Sequence, residues 1–145
     1  MSTTLQAAAS ETAEQQAKRI VEEFLEASMV PDPDRARTYM APGVVIVFTG
    51  GRRFDDPKGS TAFNAARYRW VKKKIERTDV VAGGTSDETI VYNIGTLYGE
   101  WPDGQPFSGN RYCDRFVVRD GRIVKMDVLN DSAELLLIRA GLAKP

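Results

Sequence analysis

The residues best able to do chemistry lie in one predicted strand, residues 110–119, with the sequence NRYCDRFVVR. Side chains alternate between the two faces of a strand, so Tyr112, Asp114 and Phe116 share one face. The opposite face carries three arginines and is expected to be solvated. Asp114 therefore lies on an otherwise apolar face, where burial disfavours its charged form and raises its pKa. We expect Asp114 to serve as a neutral hydrogen-bond donor or acid near neutral pH.

Asn93 is the candidate partner of Asp114 across the strand pair. A two-residue hairpin loop within Pro102-Asp103-Gly104-Gln105 would place Asn93 directly opposite Asp114. A longer loop or a bulge would shift this register and turn Tyr92 and Tyr98 inward instead. Both registers remain open at the level of the sequence.

Further candidate residues come from alternation along the last predicted strand. Met126 and Asn130 fall on the face that should point to the interior, although Asn130 could instead help to cap the helix that follows. Tyr112 and Phe116 are expected to form core or cavity wall. A wall rich in aromatic side chains favours a flat apolar ligand.

The composition narrows the possible chemistry. The 145 residues include 20 acidic and 20 basic side chains and no histidine. Balanced charge gives no support for a nucleic-acid or anionic-membrane partner. Without histidine, Ser-His-Asp and Cys-His nucleophile pairs and the common imidazole metal sites are excluded, and the single Cys113 excludes an internal disulfide. We therefore expect no metal and no cofactor, and any catalysis must use carboxylate, tyrosine, lysine or arginine side chains.

The hydropathy of the chain and the composition of its first residues suggest where the protein is located and how its domain is bounded. No stretch approaches the roughly 20 apolar residues of a membrane-spanning helix, and the start of the chain lacks the basic and apolar regions of a secretory signal. We therefore expect a cytoplasmic protein. Residues 1–11 are small and polar and are predicted to be a disordered tail, followed by a single domain over residues 12–145.

The first half of this domain predicts three helices and one strand. Thr12 and Gln15 form a capping box before an amphipathic helix. Asp32-Pro33-Asp34 opens a short second helix, which includes residues 39–40 and closes at Pro42-Gly43. Residues 44–49 form a buried strand and residues 52–58 a polar loop. A third helix begins near Ser60 and continues past residue 70, with Trp70 inward and a solvated face made by Arg69, Lys72 and Lys73.

The second half predicts four strands and a final helix. The extended segments are residues 75–82, 88–101, 106–119 and 122–130, separated by Gly- and Asp-containing turns. Asp131 and Glu134 form a second capping box before an apolar helix at residues 135–138. This order predicts an α+β fold in which helices cover one face of an antiparallel sheet.

With these elements in place, the chain resembles the SnoaL-like and ketosteroid-isomerase-like branch of the nuclear transport factor superfamily over residues 13–140. The resemblance rests on the element order, on DRARTYMAPGVVIVF at residues 34–48 and on DRFVVRDGRI at residues 114–123. It implies a cone-shaped, strongly curved sheet wrapped around the N-terminal helices, with an apolar pocket inside. It also implies a homodimer built on the outer face of the sheet.

The resemblance assigns a role to Asp114 and leaves two other roles vacant. In the isomerases of this branch, an aspartic acid at the corresponding position stays protonated and donates a hydrogen bond to an oxyanion. The ungapped match places Phe24 where those enzymes have a tyrosine donor, and Phe48 where they have an aspartate base. Neither phenylalanine can transfer a proton. The resemblance also puts Arg52 and Arg53 near the pocket mouth, where they would either contact an acidic group or lie in a surface loop.

Two hypotheses about function follow. In the first, the protein is a cofactor-free SnoaL-type enzyme, an isomerase, cyclase or hydrolase acting on a small apolar carbonyl compound. In the second, it is a non-catalytic ligand-binding or dimerisation module of the same fold. In both, Asp114 is the candidate catalytic or polar group, and the candidate ligand-binding residues are Asn93, Tyr112, Phe24, Phe48, Phe116, Met126 and Asn130.

Overall fold

A computed structural model describes residues 11–145, so the predicted tail lies outside the described residues except for Glu11. The described chain has an α+β fold, as predicted. Its elements in chain order are α1 (Ala13–Met29), α2 (Pro33–Arg37), β1 (Met40–Val47), β2 (Arg53–Phe54), α3 (Pro57–Arg67), β3 (Trp70–Ala82), β4 (Glu88–Glu100), β5 (Pro106–Arg119), β6 (Arg122–Asn130) and α4 (Ser132–Arg139). None of these helices is both long enough and apolar enough to cross a membrane.

The strands form one six-stranded sheet in the order β2-β1-β6-β5-β4-β3. Neighbouring strands are antiparallel except for β1, which runs parallel to β6, so the sheet is mixed. The long strands β3 to β6 form a meander because short turns connect them. Helix α1 lies against one face of this meander, and that inner face carries the core.

The sequence of α1 explains why it forms and which side it buries. The Thr12 hydroxyl oxygen accepts a hydrogen bond from the Gln15 amide, and Oε1 of Gln15 accepts one from the Thr12 amide, which completes the predicted capping box. The buried side chains follow helical spacing and include Ile20, Phe24 and Leu25. Phe24 packs edge-on against Phe116 of β5, with 5.8 Å between ring centroids. This contact anchors the helix to the middle of the sheet.

The sheet is curved, and Gly95 of β4 permits a close approach to the neighbouring strand β3. A Cβ atom added at Gly95 would lie 2.1 Å from the carbonyl oxygen of Lys74, so a side chain at this position would collide with the backbone of β3. The register of β3 against β4 shifts between Ile75 and Arg77, next to this close approach. Bulges increase local bending and twist. The start of β3 lies against the end of α1, where the Lys73 amide contacts Met29.

The third helix is shorter than predicted, and this is the most consequential correction. Helix α3 ends at Arg67, because Tyr68 adopts an extended conformation with φ −123° and ψ 145°. Residues from Trp70 onward form β3, so they alternate between faces with a period of two. Trp70 is 40% exposed and lies on the outer face, where inward packing was expected. Lys73, expected to be solvated, points inward.

Other element boundaries also differ from expectation. The second helix stops at Arg37, and Met40 already belongs to β1, which continues past Pro42-Gly43 with a register shift. The loop expected at residues 52–58 contains the short strand β2 and the start of α3. Asp131 forms no side-chain cap on α4; its carboxylate pairs with Arg111 instead. The cap of α4 is supplied by Asn130, whose Oδ1 accepts a hydrogen bond from the Ser132 amide at 3.0 Å.

The β4–β5 register places Asn93 opposite Asp114, although the reason differs from the one expected. Glu100 pairs with Pro106, so residues 101–105 form a five-residue loop rather than a two-residue one. A bulge follows at Gly109, whose φ of +87° favours glycine, and it adds one residue to β5. The longer loop and the bulge compensate for each other. Tyr98 consequently stays on the outer face, where its ring meets Trp70 edge-on.

Candidate functional site

A cavity of about 90 Å³ lies between α1, α3 and the inner face of the sheet. This is several times the roughly 10–15 Å³ that one water needs. A second hollow of about 150 Å³ shares part of its wall, including Met29, Tyr68 and Val71, so the two hollows are adjacent. The side chains facing the cavity are mostly aromatic or aliphatic, with a few polar groups among them: Phe24, Leu25, Met29, Phe48, Phe63, Tyr68, Val71, Leu97, Met126 and Val128, together with Thr49, Asn64, Arg67, Lys73, Asp114 and Asn130.

The Asp114 carboxyl group lies at the wall of this cavity and is 0% exposed. Its Oδ2 atom is 2.8 Å from Nζ of Lys73, whose side chain is 17% exposed. Lys73 therefore holds Oδ2, and Oδ1 has no hydrogen-bond partner among the described residues. Buried polar atoms are normally satisfied. An acceptor left free in a cavity wall can bind a ligand.

Two opposing effects set the pKa of Asp114. Burial is the larger effect and raises the pKa above its usual value of 3.8, while the nearby ammonium of Lys73 lowers it. The net shift is upward. A carboxyl group with a raised pKa that can still ionise beside a cation is suited to accept a proton as well as to donate one. The sequence predicts a neutral hydrogen-bond donor at Asp114, and the structure adds a cationic neighbour, Lys73.

Lys73 reaches Asp114 because β3 is held beneath the end of α1. The Lys73 backbone amide donates a hydrogen bond to Sδ of Met29 at 3.3 Å. Strand alternation then turns the Lys73 side chain inward, and its Nζ lies 3.9 Å from the centre of the Tyr112 ring. A cation above an aromatic face is attracted to the π electrons. Tyr112 and Asp114, two residues apart on β5, therefore hold the ammonium together.

A chain of hydrogen bonds fixes Tyr112 from behind. The Tyr112 hydroxyl donates to Oδ1 of Asn93 at 2.6 Å, and Nδ2 of Asn93 donates to the Thr78 hydroxyl at 3.0 Å. Burial, followed by the charge of Asp114, raises the pKa of Tyr112, so its hydroxyl stays protonated as the donor. Asn93 faces Asp114 in register, but its amide bonds Tyr112 and Thr78 rather than the acid. This corrects the expected amide–acid hydrogen bond.

A second buried polar cluster lies where β6 meets α4. The Ser132 hydroxyl, which is fully buried, bonds the Tyr68 hydroxyl and accepts from Nδ2 of Asn110 at 2.9 Å. Burial raises the pKa of Tyr68. Asn130 both lines the cavity and caps α4, so the two roles weighed for it from the sequence coexist. This cluster fixes the wall on the side away from α1.

The predicted site residues fall into two groups. Phe24, Phe48, Met126 and Asn130 line the cavity together with Asp114. Asn93, Tyr112 and Phe116 are buried behind the wall, where they support it. The arginines beside Asp114 in sequence point away from it, as expected: Arg111 pairs with Asp131 and Arg115 with Asp127.

Sequence reasoning missed two cationic residues of the wall, Lys73 and Arg67. The helical pattern predicts Lys73 on a solvated face with Arg69 and Lys72, and Arg67 belongs to the same basic run. Two signals would have revealed Lys73: strand alternation places it with Val71, and an acid on a dry face needs a cation nearby. Arg67 is the last residue of α3, so its inward position depended on where that helix ended.

Within residues 11–145, no group of three or more acidic, cysteine or histidine side chains could hold a metal ion. The charged residues that border the cavity are instead one carboxylate, Asp114, and three cations, Arg67, Lys72 and Lys73, and several neutral hydrogen-bonding groups accompany them. Such a set can bind a carbonyl oxygen, exchange a proton and stabilise negative charge.

The chain is similar in sequence or in fold to several known proteins. A family model described as a SnoaL-like domain matches residues 21–126. A putative SnoaL-like polyketide cyclase from Jannaschia sp. CCS1 superposes with a TM-score of 0.67 at 21% identity, covering 95% of this chain and all of that one. An NTF2-like protein of unknown function from Burkholderia pseudomallei superposes with a TM-score of 0.67 at 18% identity, covering 86% of this chain and 95% of that one.

A third similar structure is a putative polyketide cyclase from Xanthomonas campestris, with a TM-score of 0.64 at 17% identity. The match covers 91% of this chain and all of that one. At these identities the structural similarity establishes the fold alone. A search of curated protein sequences gives no match.

Proposed function

This chain belongs to the SnoaL-like domain family, and from that premise we propose that it binds a small apolar carbonyl compound in the cavity and carries out cofactor-free acid–base chemistry of the isomerase, cyclase or hydrolase type. The observation that carries the proposal is the Asp114 carboxyl group: it is fully buried at the cavity wall, paired with Lys73, and has one oxygen free. The putative polyketide cyclases among the similar structures favour the cyclase form.

In the proposed reaction, the Asp114 carboxylate removes a proton from a carbon next to the substrate carbonyl. The electron pair of that C–H bond forms the enolate, whose oxygen becomes negative. The enolate carbon then either attacks a second carbonyl of the same molecule, which closes a ring, or is protonated at another position, which gives an isomer. The neutral Asp114 carboxylic acid returns the proton to the new alkoxide or carbon. Atoms and charge balance without another reactant.

Lys73 has a distinct role in this scheme. While Asp114 is ionised, the ammonium balances its charge at the buried wall of the cavity. Once Asp114 takes up the proton, the ammonium is left beside the new enolate oxygen and stabilises it. A cation placed to follow the charge as it moves lowers the barrier more than one that stabilises only the resting state. Tyr112, held by Asn93, keeps Lys73 in place and acts as a positioning residue.

The proposal can be tested without knowing the natural substrate, using 2-tetralone in D₂O. This ketone is small, flat and apolar, and has readily exchanged protons next to its carbonyl. We expect the wild-type protein to accelerate their exchange for deuterium above the buffer rate, as measured by proton NMR. Asp114→Asn should remove at least about 100-fold of that acceleration, the usual range for a general base. Asp127→Asn, which changes an acid on the outer face, should leave the rate unchanged.

A non-catalytic binding module is the second candidate, and one observation favours it. Phe24 and Phe48 line the cavity, and neither side chain can transfer a proton. Under this alternative, 2-tetralone would bind with no faster exchange than in buffer, and Asp114→Asn would change only the affinity. Equal exchange rates for wild type and Asp114→Asn would reject the catalytic proposal.

We also propose that the outer face of the sheet forms a homodimer. Leu129 of β6 is 65% exposed on that face, and Tyr98 and Trp70 are each 40% exposed and in contact with each other. Contiguous exposed apolar patches, unlike single exposed side chains, are typical of interaction surfaces. The outward arginines around them would form the polar rim.

A further inference from the structure

Arg67 is a cation of the cavity wall, and it has no acidic partner among residues 11–145. Among the described arginines, nine form an ion pair with a carboxylate. The other four are Arg52, Arg53, Arg67 and Arg122, of which Arg67 alone is half-buried and the other three are exposed. A buried charge is costly unless it is paired. Exposed arginines need no partner, so Arg67 is the exception that requires an explanation.

The contacts that Arg67 does make leave most of its donors free. Its Nη1 lies 3.5 Å from the Thr49 hydroxyl, at the limit of a hydrogen bond, and its guanidinium carbon lies 4.8 Å from the centre of the Phe63 ring. The guanidinium also interacts with the neighbouring Tyr68 hydroxyl, where it opposes the burial that raises the pKa of Tyr68. The position at the end of α3 also favours a cation, because the last carbonyl groups of a helix carry partial negative charge. These effects explain why the side chain is tolerated there. They do not satisfy a fork of five N–H donors.

The charges of the cavity wall do not cancel. Two cationic side chains, Arg67 and Lys73, face one carboxylate, Asp114, and Lys73 is already paired with it. Lys72 also borders the cavity, but strand alternation directs its side chain to the outer face opposite Tyr98. No other aspartate or glutamate lies in the described wall. The cavity therefore carries one uncompensated positive charge beside an apolar aromatic surface.

We propose that this charge binds a carboxylate of the ligand, so that the protein acts on an aromatic or otherwise apolar carbonyl compound that also carries an acidic group. This inference builds on the proposed function and narrows its substrate class. The guanidinium fork matches the two oxygens of a planar carboxylate, and the apolar side chains of the cavity wall suit the rest of such a ligand. Arg67 fixes one end of the ligand, while the Asp114–Lys73 pair meets the carbonyl at the other.

The inference predicts a preference that matched probes can measure. The sodium salt of 2-naphthoic acid and its neutral amide, 2-naphthamide, have nearly the same size and shape and differ in charge. We expect wild-type protein to bind 2-naphthoate at least about 10-fold more tightly than 2-naphthamide, as measured by isothermal titration calorimetry at low salt. Arg67→Gln should abolish this preference by weakening naphthoate binding, with the affinity for naphthamide unchanged. Arg67→Lys keeps the positive charge but lacks the bidentate guanidinium group, so it should retain part of the preference for naphthoate.

Arg122→Gln is the matched control, because it removes one positive charge from an exposed arginine that also lacks a carboxylate partner. It should keep the full preference. The inference is overturned if wild type binds both probes equally or binds neither at millimolar concentration. It is also overturned if folded Arg67→Gln still prefers naphthoate, or if Arg122→Gln loses the preference equally, which would indicate attraction by overall charge.

This experiment is separable from the test of catalysis. Asp114→Asn removes the only described carboxylate of the wall, so it should retain or increase the preference for naphthoate. A protein that prefers naphthoate through Arg67 but exchanges 2-tetralone protons no faster than buffer would refute the proposed reaction and keep this inference. Fast exchange of 2-tetralone protons without a preference for naphthoate would support the proposed reaction and refute this inference.

Discussion

Replacing Lys73 with methionine should make the stability of the protein depend on pH in a defined way. Lys73→Met keeps the length and apolar stem of the side chain and removes the ammonium that lies 2.8 Å from Asp114. At that distance the attraction is about 6 kcal/mol for an effective dielectric constant of about 20, before the cost of desolvation is subtracted. Removing one partner of a buried pair typically costs about 3–5 kcal/mol. We expect a loss of that size in the free energy of unfolding near neutral pH.

The loss should shrink at low pH because protonation neutralises the stranded acid. The pKa of Asp114 is raised in the folded protein above its usual value of 3.8, so the folded state binds more protons than the unfolded state between the two values. Stability therefore falls as pH rises through this window. Without Lys73, which lowers the folded pKa, the window extends to higher pH. The variant should lose about 1.4 kcal/mol for each added pH unit within it.

Urea unfolding at several pH values between about 4.5 and 8 measures this effect. Lys72→Met is the matched control, because the neighbouring lysine points outward, and it should change stability by no more than about 0.5 kcal/mol at any of these pH values. The double variant Lys73→Met/Asp114→Asn should recover most of the stability and lose the added pH dependence, since it leaves no buried charge. A Lys73→Met penalty that is the same at pH 4.5 and pH 8, or equal to that of Lys72→Met, would refute the ion pair.

Three further predictions concern the Tyr112–Asn93 hydrogen bond, the close approach of β3 to β4 and the proposed dimer. Tyr112→Phe removes the hydroxyl that donates to Asn93 and keeps the ring that contacts Lys73. The free energy of unfolding, measured with urea, should fall by about 1–3 kcal/mol and keep the pH dependence of wild type. A loss below about 0.5 kcal/mol would contradict the buried hydrogen bond. Gly95→Ala places a Cβ 2.1 Å from the Lys74 carbonyl oxygen and should cost about 1–3 kcal/mol or more; an unchanged melting temperature would contradict the close approach of β3. Light scattering should give wild type twice the mass of the chain and Leu129→Glu the mass of one chain, whereas a monomeric wild type would reject the proposed dimer.

Much of the fold could be predicted because turn residues and apolar periodicity agree along most of the chain. The three long strands β4 to β6 begin and end within a residue of the predicted segments, because each is bounded by glycine, aspartate or proline. The capping box at Thr12 likewise predicted the start of α1. These are local signals, and they need no knowledge of what packs against them.

The boundary between α3 and β3 could not be predicted in this way. The run around Arg69, Lys72 and Lys73 has few apolar residues, so helical and strand periods fit it about equally well. Its conformation is decided by tertiary structure: the Lys73 amide bonds Met29, and β4 supplies the pairing edge. Consequently the partner of Asp114 was missed, although the acid itself was found.

The register of β4 and β5 shows a second limit of local reasoning. Asn93 was placed opposite Asp114 by assuming a short loop, and the structure reaches the same pairing through a longer loop and a bulge at Gly109. Each irregularity alone would have reversed which side chains face inward. The agreement therefore supports the inward position of Asp114 but does not validate the assumed loop.

The central claim is that a buried carboxyl group at the cavity wall is paired with a lysine ammonium. Carbon-13 NMR of the Asp114 side-chain carboxyl, assigned by its loss in Asp114→Asn and followed as a function of pH, tests that claim most directly. We predict a titration midpoint above 3.8 in wild type and a higher midpoint in Lys73→Met. A midpoint at or below 3.8, or one that Lys73→Met leaves unchanged, would contradict it.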